Sequence, residues 1–402
     1  MRKRGRIILV VFAVAASIVA AVAVLIDDGS ERFETGAITA GKLPSAAFIS
    51  GDDDWPVFRG GHRLLGRSAG VLPEKMRVAW KFRTGAEIKS SPAIVEGVVF
   101  VGSADAKVYA INLGSGDEIW SYETGGAVEG APCVVEGSVF VGSLDEFLYA
   151  IDSKTGSLEW KYKTGGKIPG AANWAKAPGG ERTWVLVGSY DSRLHCVDSG
   201  SGKAVWVYEA QNFVNGTPAV ENGKVVFGGC DAMIHVVSLA DGKMLKQIDT
   251  GSYIGASTAL LEGKVYVGNL DNAFICADIG SGKILWKYTE SDGGYFSSPA
   301  VGETKVVVGA RDNRVHCIDR AEGKVIWTFK TLDEVDSSPA ICGDKVVVGA
   351  EDGRLYVINL ADGKGVWSYE VGRPITSSPA VAGGMVVVGS DDGYVYAFAG
   401  AR

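Results

Sequence analysis

The sequence predicts an all-β fold, an eight-bladed β-propeller in which every blade is a four-stranded sheet. A segment of about 40 residues recurs eight times, and each copy holds four short runs rich in β-branched and aromatic residues. The final copy stops after its third strand, while a matching strand precedes the first copy. These observations favour a closed ring over an open stack of repeats.

The first copy shows the four strands of a blade. "SSPAIV" predicts strand one, "VVFVGS" strand two, "KVYAIN" strand three and "EIWSYE" strand four, with Gly- or Asp-containing turns between them. The proline of "SPA" sets the register, and one longer interval contains "AKAPGGER", which we expect to be a loop. In chain order the marker positions are Pro92, Pro132, Ala172, Pro218, Thr258, Pro299, Pro339 and Pro379.

The two ends of the repeat region predict how the ring closes. The last copy, residues 377–399, supplies three strands. The fourth is expected from "MRVAWKFRTG", residues 76–85, which places Trp80 at the tryptophan position of a fourth strand. This three-plus-one closure would pair the exposed edges of the sheet.

A tryptophan follows a glycine by four residues in most copies, and we expect it to hold neighbouring blades together. Burying an indole stabilises a fold by at most about 4–6 kcal/mol. Lys246 takes this position in the fourth copy, which predicts the weakest seam between blades four and five. The predicted docking residues are Trp80, Trp120, Trp160, Trp206, Trp286, Trp327 and Trp367.

The chain before the repeats divides into two parts. Residues 7–26 are almost entirely apolar and long enough to cross a bilayer as one helix, with basic residues before them. We predict an uncleaved anchor, with a signal peptide cut near 21–23 as the alternative. The predicted domains are 1–27 as anchor or signal sequence, 28–75 as linker and leader, and 76–402 as the propeller.

The cysteines predict no metal site and no particular disulfide. None of the six lies in a CxxC pair or at a metal-ligand spacing. Cys196, Cys276 and Cys317 occupy the position that holds Ala110 and Ala150 in other copies, so we interpret them as small buried apolar residues.

The recurring aspartates and histidines also have structural interpretations. An Asp follows strand two in every copy, as expected of a residue that caps the next turn. His195, His235 and His316 stand where Tyr109 and Tyr149 stand in other copies, which indicates one repeated structural position and no shared zinc. No catalytic triad can be assembled from the sequence.

Segments such as "AINLGSGDEIW" and "CIDRAEGKVIW", together with "SSPA" and "VVVGS", resemble the tryptophan-docking repeat of the pyrroloquinoline quinone (PQQ) superfamily over residues 79–399. The resemblance implies an eight-bladed propeller. Its members include quinoprotein alcohol dehydrogenases and the outer-membrane assembly lipoprotein BamB. The dehydrogenases need a cofactor floor, a Ca²⁺ site, a catalytic carboxylate and a disulfide between adjacent cysteines. This chain has no Cys-Cys pair and little room for insertions, so the resemblance favours a non-enzymatic member. "DDDWPVFRGGHRLLG", residues 52–66, is similar to the leader before many such propellers.

Residues that break the repeat on one face of the disc are the candidate ligand-binding residues. The loops before strand one and those between strands two and three share that face. Mixed charges and aromatic rings there suit a polar ligand or a peptide, while variable surface loops are the plain alternative. The candidates are Lys89, Glu129, Phe213, Asn215, Tyr253, Tyr295, Phe296, Asp336 and Arg373, with Glu334 beside them.

These patterns predict a membrane-tethered propeller that binds a protein or peptide of the cell envelope. The net charge of −7 and the absence of a basic stripe argue against nucleic acid. No cofactor, metal or catalytic residue is predicted, and we expect a monomer. The expected location is the inner membrane, single-pass, with the propeller in the periplasm or outside the cell, or secretion after cleavage. The alternatives are a PQQ-dependent enzyme and a small-ligand sensor.

Overall fold

The computed structural model describes residues 54–401 and confirms an all-β propeller of eight blades. Each blade is an antiparallel sheet of four strands, and a two-residue strand of the leader extends the seventh blade. The described part of the chain contains no helix long and apolar enough to cross a membrane. The predicted anchor at residues 7–26 lies outside the described residues.

The segment before blade one contains one 3-10 turn, Phe58–Gly60, and the strands β1 (Arg67–Ser68) and β2 (Met76–Arg83). The strands of blades one to four are β3 (Ala93–Val95), β4 (Val98–Gly102), β5 (Lys107–Asn112), β6 (Glu118–Glu123), β7 (Cys133–Val135), β8 (Ser138–Gly142), β9 (Phe147–Asp152), β10 (Leu158–Lys163), β11 (Asn173–Lys176), β12 (Thr183–Gly188), β13 (Arg193–Asp198), β14 (Ala204–Glu209), β15 (Ala219–Glu221), β16 (Lys224–Gly228), β17 (Met233–Ser238) and β18 (Met244–Asp249).

The later blades repeat this pattern, with a short innermost strand followed by longer ones. The strands of blades five to eight are β19 (Ala259–Leu261), β20 (Lys264–Gly268), β21 (Phe274–Asp278), β22 (Ile284–Tyr288), β23 (Ala300–Val301), β24 (Lys305–Ala310), β25 (Arg314–Asp319), β26 (Val325–Lys330), β27 (Ala340–Cys342), β28 (Lys345–Gly349), β29 (Arg354–Asn359), β30 (Gly365–Glu370), β31 (Ala380–Ala382), β32 (Met385–Gly389) and β33 (Tyr394–Gly400). The insertion in the third copy is a loop between β11 and β12, as predicted.

The ring closes as the sequence predicts, because β2 is the fourth strand of blade eight. It pairs antiparallel with β33 along its whole length, from Met76 opposite Gly400 to Arg83 opposite Tyr394. On the inner side, the Ser377 hydroxyl donates a hydrogen bond of 3.0 Å to the Ser90 carbonyl, joining blade eight to blade one. The two ends of the propeller are therefore held together at its outer and inner edges.

The tryptophans of the fourth strands explain why the third strands carry a small residue at the position opposite. A β-bulge places Trp120 directly opposite Ala110, and a larger side chain there would compete with the indole for space. The three cysteines predicted to be small buried residues lie opposite tryptophans in this way, and all six cysteines are free thiols. The pairs are Cys196 with Trp206, Cys276 with Trp286 and Cys317 with Trp327.

Six of the predicted tryptophans dock on the next blade in one geometry. The Trp80 indole N–H donates to the Leu113 carbonyl at 2.7 Å, and its ring lies on Gly116. This glycine has φ +79°, and an added Cβ would lie 2.7 Å from the indole. Both the backbone conformation and the lack of space therefore require glycine here. The other five donors are Trp120, Trp160, Trp206, Trp286 and Trp327.

Trp367 does not dock as predicted. The two outer strands of blade eight come from opposite ends of the chain, so this blade lacks the glycine turn that receives an indole elsewhere. Among the described residues, the Trp367 indole N–H has no such carbonyl partner. Its ring instead packs against Phe398 at 5.5 Å between centroids and stacks with Tyr369.

The seam between blades four and five lacks an indole, as the sequence predicts. The Lys246 side chain takes its place, and its aliphatic part lies over Gly282. Lys246→Trp should raise the free energy of unfolding by about 2 kcal/mol, because the ring would cover Gly282 and reach the Ile279 carbonyl. Urea unfolding measures the gain. Lys243→Trp, at a largely exposed lysine of the same blade, should change stability by less than about 0.5 kcal/mol, and equal gains would contradict the seam as the cause.

The leader, residues 54–75, belongs physically to the propeller. It passes across the inner ends of the blades on the face that carries the turns between strands one and two. It is hydrogen-bonded to the innermost strand of each of blades one to seven; the bonds run both ways at blade one, and at blades two to seven the leader carbonyls accept. The partner residues are Trp55 with Ile94, Pro56 with Val134, His62 with Asn173 and Val220, Arg63 with Leu260, Leu65 with Val301, and Gly66 with Ile341.

Candidate functional site

The face opposite the leader carries the open end of the central channel, which we call the mouth. The residue three positions before each proline marker lines one cavity there, with an empty volume of about 580 Å³. Five of these residues are predicted candidates. In ring order the eight are Lys89, Glu129, Pro169, Asn215, Gly255, Phe296, Asp336 and Thr376.

The channel wall below the mouth is held by a chain of hydrogen bonds between blades. The Thr217 N–H donates to the Ser257 hydroxyl at 2.8 Å, and the Ser257 N–H donates to the Ser298 hydroxyl at 3.0 Å. The same link continues through Ser338 and Ser378 as far as Ser91. Ala131 and Ala171 line the remaining part of the wall. The serines of the repeated "SSPA" therefore form the channel wall, a role that the sequence did not reveal.

The leader supplies the floor of the same cavity. Phe58 lines it together with the wall residues, although it lies far from them in sequence. Next to it, the Arg59 side chain is buried and donates to the carbonyls of Ser338 at 3.0 Å and Pro299 at 3.2 Å, and also to that of Pro339. The leader therefore covers the end of the channel that lies opposite the mouth.

One side of the mouth is built around Arg311. Its guanidinium donates two hydrogen bonds to the Asp336 carboxylate, at 2.9 and 2.6 Å, and lies 3.2 Å from Glu334. The same group lies 3.7 Å from the centroid of the Phe296 ring. Asp336 raises the pKa of Arg311 above its usual value. These contacts orient both Phe296 and Asp336 at the channel edge.

Carboxylates outnumber cations on this side of the mouth. Burial, and then repulsion from Asp336 and Asp391, raises the pKa of Glu351 to about 7. Burial and the nearby Glu87 also raise the pKa of Asp391. On the adjoining edge, Lys89 lies 3.5 Å from Glu129, so its charge is already paired. We call this region, from blade six to blade one, the acidic side.

The other side of the mouth carries exposed aromatic rings. Phe213 stacks on Tyr190 with 4.6 Å between centroids and an angle of 16°. Both rings are more than a third exposed, and Tyr253 is 56% exposed on the next blade. Phe296, between the two sides, is 37% exposed. Tyr190 escaped the sequence analysis because it follows strand two at a position where the copies share no residue type.

Tyr295 and Arg373 differ from the other candidates. Tyr295 is fully buried, and its ring packs on the backbone of Gly268, so its inclusion in the face was wrong. The position before each ring residue is apolar in every other copy, for example Ile88 and Val128, and this column could have shown the burial. Arg373 is exposed in the loop before β31 but does not line the cavity.

The recurring aspartates and histidines have the structural roles expected of them. The Asp105 carboxylate accepts the Lys107 N–H at 3.0 Å and the Tyr109 hydroxyl at 2.7 Å. Where histidine replaces the tyrosine, His195 keeps the contact to Asp191 at 3.0 Å. His235 and His316 repeat this arrangement. Within residues 54–401 no three potential metal ligands converge.

Comparison with known proteins agrees with this architecture. The family profile described as "Outer membrane protein assembly factor BamB" matches residues 71–172, 170–245, 230–334 and 311–402. No curated protein matches the sequence.

Three solved structures show the same fold. BamB from Moraxella catarrhalis has a TM-score of 0.68 at 16% identity, covering 81% of this chain and 100% of its own. A europium-containing methanol dehydrogenase has a TM-score of 0.74 at 15% identity, covering 87% and 98%. The quinohemoprotein alcohol dehydrogenase from Comamonas testosteroni has a TM-score of 0.73 at 14% identity, covering 87% and 81%. The chain belongs to the PQQ-repeat β-propeller family whose profile is named after BamB.

Proposed function

We propose that this protein is a non-enzymatic scaffold that binds a protein or peptide of the cell envelope at the mouth of its channel. In this proposal the N-terminal apolar segment, residues 7–26, tethers the propeller to the inner membrane on the non-cytoplasmic side. The propeller acts as a monomer and uses no cofactor.

The two-sided mouth is the observation that carries this proposal. Exposed aromatic rings are the side chains that most often anchor protein interfaces, and here Phe213, Tyr253 and Phe296 lie around one opening. The acidic side, with Asp336 and Glu351, suits a partner segment that carries basic residues. We infer a partner segment with an apolar or aromatic part followed by a positively charged part.

The same mouth does not fit the quinone cofactor of the related dehydrogenases. PQQ is a planar tricarboxylate, and its binding requires cations that are free to pair with it. Arg311 is held by the Asp336 carboxylate and Lys89 lies beside Glu129, and the carboxylate-rich surroundings that raise the pKa of Glu351 would also repel the cofactor. This mismatch favours the scaffold over the PQQ-dependent enzyme, and we derive no reaction for this chain.

A photoreactive residue at Tyr253 in the full-length protein, kept in its native membrane, tests the proposal. We expect a specific covalent adduct that mass spectrometry identifies as one envelope protein. A probe at Lys154, in the turn between β9 and β10 on the opposite face, should not give this adduct. With the purified partner, Phe296→Ala should weaken binding by about tenfold or more. Identical adducts from both probes, or dye reduction by protein supplied with PQQ and Ca²⁺, would overturn the proposal.

A further inference from the structure

The leader concentrates positive charge in an acidic protein. Between Trp55 and Pro73 it contains Arg59, Arg63, Arg67 and His62, and this stretch has no Asp or Glu. The whole chain has a net charge of −7, so the concentration runs against the overall composition. It also lies on the face opposite the acidic mouth. Apart from the hydrogen bonds that Arg59 donates to the blades, neither the fold nor the proposed scaffold function uses this charge.

The three arginines and His62 line a single cavity. The leader curves around an empty volume of about 770 Å³, and residues 59–65 and 67–69 form its lining. His62 and Arg67 are exposed, Arg63 is partly exposed and Arg59 is buried at the base. A ligand in this cavity would therefore meet charges both at the opening and at depth.

Arg59 is the part of the cavity that most clearly lacks a counter-charge. It is 2% exposed, and its terminal nitrogens donate only to backbone carbonyls. Within residues 54–401 no carboxylate pairs with it, and its buried Nε has no hydrogen-bond partner. Burial lowers the pKa of Arg59 to about 9, which reflects the cost of holding this charge away from water. A bound anion would reduce that cost.

The remaining cations are available to the same anion. Arg63 lies 3.6 Å from Glu221, which offsets part of its charge, and its side chain is 42% exposed. The Arg67 side chain has no carboxylate partner among residues 54–401. The strand pairing of Arg67 with blade seven uses only its backbone. Burial and the neighbouring Arg63 lower the pKa of His62. An anion in this cavity would therefore also meet the Glu221 carboxylate.

We propose that the leader cavity binds a phosphate group, carried either by a soluble phosphate ester or by the headgroup of an anionic lipid. Guanidinium groups match phosphate oxygens with paired N–H donors, and three arginines line this cavity. The cavity opens to solvent, which leaves room for the organic part of an ester. Asp54, the first described residue after the proposed tether, accepts the Glu96 N–H on this same face of the propeller. The lipid source alone depends on that tether.

The test uses the full-length protein in neutral detergent. Thermal unfolding and ³¹P NMR would follow the addition of inorganic phosphate, of glycerol 3-phosphate, and of micelles doped with phosphatidylglycerol or phosphatidylcholine. We expect a higher Tm and a broadened phosphorus signal. Arg67→Gln and Arg63→Gln should each weaken binding about tenfold. Arg77→Gln, the same change of charge at an exposed position of β2, should leave it unchanged.

Each outcome decides the proposal. A response to glycerol 3-phosphate that Arg67→Gln removes supports a soluble ester. A response to phosphatidylglycerol but not to phosphatidylcholine, again removed by Arg67→Gln, supports the lipid headgroup. No response to any phosphate probe, or a response equal in wild type and both leader variants, would overturn the site. Because Arg63 and Arg67 are not part of the core, both variants should fold, and their unchanged Tm without ligand confirms this.

Discussion

Trp80→Ala is expected to lower the free energy of unfolding by about 4 kcal/mol, because it removes the indole that closes the ring. Trp80 is 9% exposed, and its N–H donates to the Leu113 carbonyl of blade one. The substitution would leave a cavity over Gly116 and an unsatisfied carbonyl at the same place. In this variant β2 would be held only by its pairing with β33, so we also expect β2 to become sensitive to protease.

Trp367→Ala is the matched control for this effect. It changes the same residue type at the equivalent strand position of blade seven, but the blade that Trp367 faces, blade eight, has no docking glycine. We expect a loss of less than about 2 kcal/mol, since the Trp367 ring is partly exposed and lacks the carbonyl partner. Urea unfolding gives both values, and limited proteolysis follows β2. Equal losses would show that docking on the next blade contributes little.

Arg59→Met should destabilise the protein by about 3 kcal/mol through loss of the leader from the ring. The substitution keeps most of the side-chain volume but leaves the carbonyls of Pro299, Ser338 and Pro339 without their donor. Removal of a buried charge offsets part of this cost. The N–H groups of Trp55 and Ile94 form the hydrogen bonds that join the leader to blade one. Their hydrogen exchange should accelerate when the leader detaches.

Two further variants separate the reasons for this effect. Arg59→Lys retains the charge but cannot supply the guanidinium fork, so it should recover less than half of the lost stability. Arg63→Met, on the same leader but with an exposed side chain, should cost less than about 1 kcal/mol. Wild-type exchange rates in Arg59→Met would contradict the role of Arg59 in holding the leader.

The repeat made the propeller predictable, whereas the path of the leader was missed because the leader lies outside the repeat. Gly116, Trp120 and Ala110 recur with their spacing because every blade solves the same packing problem, so strands, closure and seams could be predicted from one chain. The leader occurs once and uses mainly its backbone to bond the blades, which leaves no side-chain pattern to detect.

The position of the mouth could be predicted from the sequence, but the orientation of its side chains was harder to predict. Residues at one ring position, such as Lys89 and Asp336, lie together because the blades are equivalent. Tyr295 and Phe296 are adjacent, and a shift of one residue takes a side chain from the opening to the core. The pairing of Arg311 with Asp336 links two loops of different lengths, and no spacing in the sequence indicates it.

The pairing of β2 with β33 has a consequence for biosynthesis. A chain made from its N-terminus releases Gly66 and Trp80 early, but their partners Ile341 and Ala397 are among the last residues to be synthesised. These contacts have a very large sequence separation, so the earliest segments must wait, unpaired, for nearly the whole polypeptide to emerge. Protection of that waiting strand by a chaperone would govern how much protein escapes aggregation.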